Sequence, residues 1–271
     1  MTIAGGRQAC ITLDLENNWE LEGPKLKYAT FEHLDEYIEL LESLDLPLSV
    51  FVVGQTVEER PDAIEQLRER LDVEFHLHSY SHDLSGTASL EDEVRKGKRA
   101  FESYFGRSPQ GYRSTQGRID RAGLRTLESE GFLFDSSVFP TYRPGVYNNL
   151  DAPIEPYRPP EAQSLFEIPV GVVPGLRIPL SQGYIKAMEG PLLAALRHVP
   201  LQDVVVFNTH LQDFFHTRAH DQLDQPKRFF YERNIENAER VFRRVVETLR
   251  RDGFSFMKMT DVYERCTDGK D

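Results

Sequence analysis

Runs of apolar residues of strand length recur along this chain, and a helical stretch follows nearly every one. Residues 9–15, 48–53, 71–75, 111–113, 132–134, 165–173, 203–209 and 254–259 read as strands. Between them lie helical patterns. Phe31, Leu34, Tyr37, Ile38 and Leu41 follow Thr30, and Ile64, Leu67 and Leu71 follow Pro61 and Asp62. Val94, Phe101 and Phe105 lie between a box-like cap at Ser89 and a stop at Gly106, and Leu124 and Leu127 between Asp120 and Gly131. Residues 190–199 form a further helical stretch, 228–251 a long amphipathic one, and Thr260 opens a short terminal helix. Strand and helix so alternate about seven times, which requires a parallel sheet with helices outside it, open or closed into a barrel. No repeat, linker or low-complexity tract interrupts residues 1–271, so one domain is expected.

The strands share a second property. Those carrying Asp14, His78, Arg113, Asp135 and His210 each place the polar residue at the C-terminal end. In parallel α/β folds that edge is where active sites assemble. A strand that merely frays into water has no reason to end in Asp, His or Arg each time.

Charge and composition narrow the partners. The net charge is −12 and no basic run occurs, which argues against nucleic acid and anionic membrane. No stretch approaches the ~20 apolar residues of a membrane span. Cys10 and Cys266 are too few for a disulfide framework, and the first residues are not followed by an apolar run of signal-peptide length. A cytoplasmic location in a reducing compartment is expected. Nothing in the sequence decides for or against a homo-oligomer.

His78 and His82 are four apart and leave the end of a strand, so both imidazoles can turn onto one metal. Ser79 or Ser81 can hold that turn through backbone amides. Asp14 and Glu16 are two apart on an extended segment and share a face, so one can ligate while the other acts as a base. Glu16 with His78 and His82 makes a two-histidine, one-carboxylate set with open positions. That set suits hydrolysis at Zn²⁺ and also resembles the non-haem iron arrangement.

In order along the chain, these motifs resemble the polysaccharide deacetylase superfamily, the NodB-homology fold of carbohydrate esterase family 4. The acidic motif is Thr12-Leu13-Asp14-Leu15-Glu16, and His78-Ser79-Tyr80-Ser81-His82 matches the His-Ser/Thr-x-x-His motif in full. Arg113-Ser-Thr-Gln-Gly117, Phe134-Asp135-Ser136-Ser137 and His210-Leu211 follow in the family's order. Where many members carry adjacent aspartates, Leu15 here separates Asp14 from Glu16.

The resemblance implies a distorted (β/α)7 barrel with parallel strands and an active site at their C-terminal ends. It also implies metal-dependent removal of an N-acetyl group from an N-acetylated sugar or glycan. Asp14 would be the general base, His210 the general acid, and Glu16, His78 and His82 the ligands. The metal would be a divalent ion, Zn²⁺ first, with Co²⁺, Ni²⁺, Fe²⁺ or Mn²⁺ as alternatives. Arg113 would orient Asp14, and the backbone amide of Gln116 would share the oxyanion. Asp135 or Glu167 would keep His210 protonated. Two other readings stand beside this one: hydrolysis of another non-peptide C–N bond, such as a cyclic ureide, and a non-catalytic carbohydrate-binding homologue.

Other residues attract weaker readings. His76 is expected in the core or behind the ligands. His216 and His220 have ligand spacing but lie in a polar loop, which favours solvation. Trp19 could stack on a sugar ring, as could Tyr142, Tyr147 and Tyr157 in the proline-rich stretch 140–160, a long loop.

Overall fold

The computed structural model describes residues 6–16 and 27–268; Trp19 lies outside them. In chain order the elements begin with β1 (Gln8–Leu15), α1 (Leu34–Glu42), β2 (Leu48–Val52), α2 (Gly54–Glu59), α3 (Pro61–Arg70) and β3 (Val73–Leu77). There follow α4 (Leu90–Phe105), β4 (Gly111–Tyr112), α5 (Arg121–Ser129), β5 (Phe134–Asp135) and a hairpin of β6 (Tyr142–Arg143) and β7 (Tyr147–Asn148). Next are β8 (Phe166–Glu167), a second hairpin of β9 (Val172–Val173) and β10 (Ile178–Pro179), α6 (Gln182–Ala187) and α7 (Glu189–His198). The last are β11 (Val204–Thr209), α8 (Lys227–Glu232), α9 (Ala238–Arg251), β12 (Ser255–Phe256) and α10 (Met259–Asp268).

The main sheet runs β11-β1-β2-β3-β4-β5-β8, and its pairings are parallel. β12 pairs with β1 only at Gln8 and Ala9, tucked below β2, whose register begins at Ile11. Between β8 and β11, irregular chain completes the ring. The Gly171 N–H donates to the Val206 carbonyl at 2.9 Å, and Ser181 bridges to Asn208. The architecture is a distorted (β/α)7 barrel, as the resemblance implies.

Alternation along the strands sorts the core into two layers. On β1, Ile11, Leu13 and Leu15 face the helices and pack with Ile38, Leu41, Ile64 and Leu67. Cys10, on the other face, joins Phe51, Phe134, Phe166 and Val206 inside the barrel. Each fully buried side chain of this size contributes about 1.5–3 kcal/mol. The inner face of β1 then turns polar in the order Cys10, Thr12, Asp14, so the apolar plug ends where the site begins. Both cysteines are buried. Among the described residues no helix is long and apolar enough to cross a membrane.

The structure departs from the sequence expectation in four places. The long helix over 228–251 is two helices, because Asn234 takes a left-handed backbone (φ 57) and its side chain donates to the Lys186 carbonyl. The strand over 165–173 shortens to β8 and resumes as the hairpin strand β9. The proline-rich stretch is not wholly loop, since it holds β6 and β7. The Ser89 hydroxyl caps nothing on α4, and the Glu93 carboxylate turns away to the histidine loop.

Candidate functional site

A cavity of about 570 Å³ opens at the C-terminal edge of the sheet. Asp14, Glu16, His78, His82, Arg113, Gln116 and His210 all line it. Glu16, His78 and His82 each present a ligand atom, and these atoms lie within 4.8 Å of one another. All three residues are buried.

The loop that carries the two histidines is shaped from below. Glu93, on α4, accepts from the Tyr80 N–H at 3.0 Å, the Ser81 N–H at 2.8 Å and Ser81 Oγ at 2.9 Å. The expected serine-to-amide bonds do not form; Ser79 Oγ pairs with the Tyr112 hydroxyl instead. Ser79 and His82 both take left-handed backbones, with φ of 59 and 58, a cost of order 1–3 kcal/mol each for residues with a Cβ. Gly97 lets α4 approach this loop, since a Cβ there would lie 2.8 Å from the Ser79 carbonyl oxygen.

The donor set fits a divalent metal. His78 Nδ1 lies 2.8 Å from the Arg113 carbonyl, which makes it the N–H donor and leaves Nε2 with a free lone pair. Burial pushes the His78 pKa down to about 4, so the imidazole is neutral near pH 7. Burial alone would raise Glu16, but the neighbouring His82 outweighs it and holds the carboxyl at about 2. Glu16 Oε2 lies 2.7 Å from His82 Nε2, and Oε1 accepts from Gln212 Nε2 at 2.6 Å. Two imidazoles and one ionised carboxylate are an N₂O set of the catalytic zinc type.

Asp14 is held from both sides. Arg113 Nη1 donates to Oδ1 at 2.7 Å, and Asn208 Nδ2 donates to Oδ2 at 3.0 Å. Burial opposes its charge, but Arg113, His78 and His210 together keep it well below the usual carboxylate range. Arg113 is itself fixed. Its other donors go to Thr12 Oγ1, the Ser136 carbonyl and Ser136 Oγ, and the guanidinium lies 4.0 Å over the Phe51 ring.

His210 closes the opposite side. Its Nε2 lies 3.5 Å from Asp14 Oδ2, and its Nδ1 lies 3.1 Å from Asp213 Oδ2. Burial would lower its pKa, but Asp14 and Asp213 raise it well above the ordinary value. The partner of this histidine is therefore Asp213, and the expectation for Asp135 or Glu167 is corrected. Both belong to a buried layer away from the cavity, where Asp135 accepts from Ser137 Oγ and Glu167 from the Val138 N–H. Asp213 escapes a strand-based reading because it reaches back three residues through a 3-10 turn. Asn208 and Gln212 were missed as well. Asn208 shares the two-residue period of the strand with His210, whereas Gln212 lies in the 3-10 turn Leu211–Asp213 and carries no strand signal.

Gln116 lines the cavity with a left-handed backbone (φ 56, ψ 16), and its buried Oε1 lacks a partner. Phe139, Tyr147, Tyr184, Phe229, Phe230 and Tyr231 wall the mouth, with Phe229 57% exposed. Tyr142 and Tyr157 do not line the cavity. His76 is buried in the barrel between Phe51 and Phe134 and pairs with Glu74. His220 is fully buried, not solvated, because the Thr217 N–H and the Gln212 carbonyl satisfy its ring. His216 is exposed beside Asp221 and Glu232, whose carboxylates Arg228 already pairs.

Residues 23–134 match the family model for polysaccharide deacetylase. Over that segment the chain is similar to the polysaccharide deacetylases. A solved structure of a candidate polysaccharide deacetylase from Mycobacterium smegmatis superposes with a TM-score of 0.64 at 17% identity, covering 100% of this chain and 94% of that one. The PuuE allantoinase gives 0.65 at 14% identity, with 98% and 92% covered. A family 4 carbohydrate esterase from Streptomyces lividans, in complex with acetate, gives 0.51 at 13%, with 92% and 91% covered. At these identities the likeness to solved structures is one of fold. A search of curated protein sequences finds no match.

Proposed function

We propose that this protein is a metal-dependent hydrolase that removes the N-acetyl group of an amino sugar or glycan. The observation that carries the reading is the convergence of the Glu16, His78 and His82 ligand atoms between Asp14 and His210. The match to the deacetylase model supports it. A divalent cation held by these three side chains, most readily Zn²⁺, would supply Lewis acidity toward the acyl oxygen.

The remaining chemistry belongs to the chain. Asp14 is a carboxylate at every working pH, because Arg113 and Asn208 hold its charge. It accepts the proton of the attacking water as the new C–O bond forms. The backbone N–H of Gln116 would donate to the developing oxyanion, and such fixed donors are worth about 3–4 kcal/mol of barrier. His210, kept protonated beside Asp213, donates to the nitrogen as the C–N bond breaks, since an amine anion is too poor a leaving group. The tyrosine and phenylalanine rings at the mouth offer apolar faces on which a sugar ring can stack.

The test combines metal analysis of the purified protein with acetate release from N-acetylglucosamine oligosaccharides. Stoichiometric metal with acetate release, abolished by Asp14→Asn, is expected. A fully metallated protein that releases acetate from no N-acetylated sugar refutes the reading. Ring opening of a cyclic ureide by the metallated protein, followed by the appearance of the ureido acid, replaces it with the other C–N hydrolase reading.

A further inference from the structure

Two buried acids remain outside this chemistry. Asp135 on β5 and Glu167 on β8 are register partners across the sheet, and both are fully buried. As register partners on parallel strands they project to the same face of the sheet. Ser137 Oγ donates to Asp135 Oδ1 at 2.6 Å, and the Val138 N–H donates to Glu167 Oε1 at 3.1 Å. Asp135 Oδ2 and Glu167 Oε2 meet no protein donor. The nearby charged and titratable groups do not neutralise the pair. Arg113 on β4 spends its donors on Asp14, Thr12 and Ser136. Tyr112, also on β4, pairs its hydroxyl with Ser79, and Tyr157 from the covering loop bridges to β8 through its backbone. Two ionised carboxylates are acceptors only and cannot bond to each other. Side by side without a cation, they cannot both ionise.

We propose that Asp135 and Glu167 share one proton, and that the resulting pair positions the loop 114–117 that carries Gln116 into the cavity. The connection runs through Ser137. Its hydroxyl hydrogen goes to Asp135, and its oxygen accepts from the Ser114 N–H at 2.8 Å. Gly117, at φ 68, seats the same loop against Ser137, whose carbonyl oxygen would lie 2.9 Å from a Cβ at that position. Ser136, next in the chain, holds Arg113. The segment 136–138 thus braces the arginine and the loop, with the acid pair as its footing. Burial accordingly pushes Asp135 up to about 6, and burial with the Asp135 charge pushes Glu167 further above the carboxylate range. Asp135 and Glu167 are positioning residues; neither lines the cavity.

The effect on turnover rests on the deacetylase reading, whereas the shared proton does not. Thermal stability therefore tests the proton independently of activity. A carboxyl whose folded pKa is raised makes the protein lose stability as pH climbs from the unfolded value, near 4.3, toward the folded one. Glu167→Gln cannot ionise, so its melting temperature relative to wild type is expected to rise progressively between about pH 5 and 8. A constant offset over that range overturns the shared proton. In the acetate assay, Glu167→Gln should keep kcat within about twofold, because the amide donates to Asp135 and still accepts from Val138. Ser137→Ala and Glu167→Leu should lower kcat about tenfold with little change in KM. Unchanged kcat in Ser137→Ala overturns the positioning role, and this variant decides the point if Glu167→Leu fails to fold.

Discussion

Replacing Asp213 by Asn tests the proposed acid most directly. The carboxylate lies 3.1 Å from His210 Nδ1 and is 3% exposed, so water screens the pair little. It is seated there by Gly183, where a Cβ would lie 2.7 Å from Asp213 Oδ1. Asn keeps the shape and an acceptor oxygen but removes the charge. A buried hydrogen bond to a charged partner is worth about 1.5–3 kcal/mol, and one pKa unit corresponds to about 1.36 kcal/mol. The His210 pKa should therefore fall by about 1–2 units, with the Asp14 contact still holding it up. A general acid works only while protonated, so the alkaline limb of kcat should move to lower pH by the same 1–2 units. Well below that limb kcat should stay near wild type, and KM should change little. Stability gives a second reading. A histidine whose folded pKa is raised stabilises fully below its unfolded value, near pH 6.5, and loses this as pH rises through the folded value. The melting deficit of Asp213→Asn should therefore be full near pH 6 and shrink in alkali. Acetate release measured from pH 5 to 10 decides the matter. An unmoved alkaline limb with a uniform fall in kcat would refute the assignment of His210 as an acid tuned by Asp213.

Three further outcomes follow from the geometry. Glu93→Gln removes the charge that accepts three bonds from the histidine loop, and should cost about 1–3 kcal/mol in denaturant unfolding and roughly tenfold in metal affinity by titration. Gly97→Ala pushes a methyl against the Ser79 carbonyl and the Leu77 side chain, and should cost about 1–3 kcal/mol while weakening metal binding; unchanged binding would mean the loop yields freely. Chelation should abolish acetate release, and adding metal back at about a thousandfold over Kd should stabilise the protein by about 4 kcal/mol, read as a rise in Tm that His82→Ala abolishes.

How far the sequence reaches depends on whether a side chain's neighbours lie on its own strand end. Asp14, Glu16, His78, Arg113 and His210 could be placed around one cavity because each sits where an apolar run turns polar, and parallel strands bring such ends to one edge. Asp135 shares that position in the sequence yet faces away from the cavity. Its strand is two residues long, and the alternation that puts Phe134 inside the barrel puts Asp135 on the other face against Glu167. The five-strand pattern was therefore read one residue too generously, and the chemistry assigned to Asp135 belongs to Asp213. Asp213 depends on a 3-10 turn, and Glu93 on how closely α4 packs beneath the histidine loop; neither distance exists in a linear pattern. The same limit explains the broken helix over 228–251. Its apolar period continues, but the bonds that fix Asn234 and Arg233 go to carbonyls of α6, 46 and more residues earlier. Strand periodicity thus locates the residues that touch the cavity, while the groups that set their charge and aim come from packing.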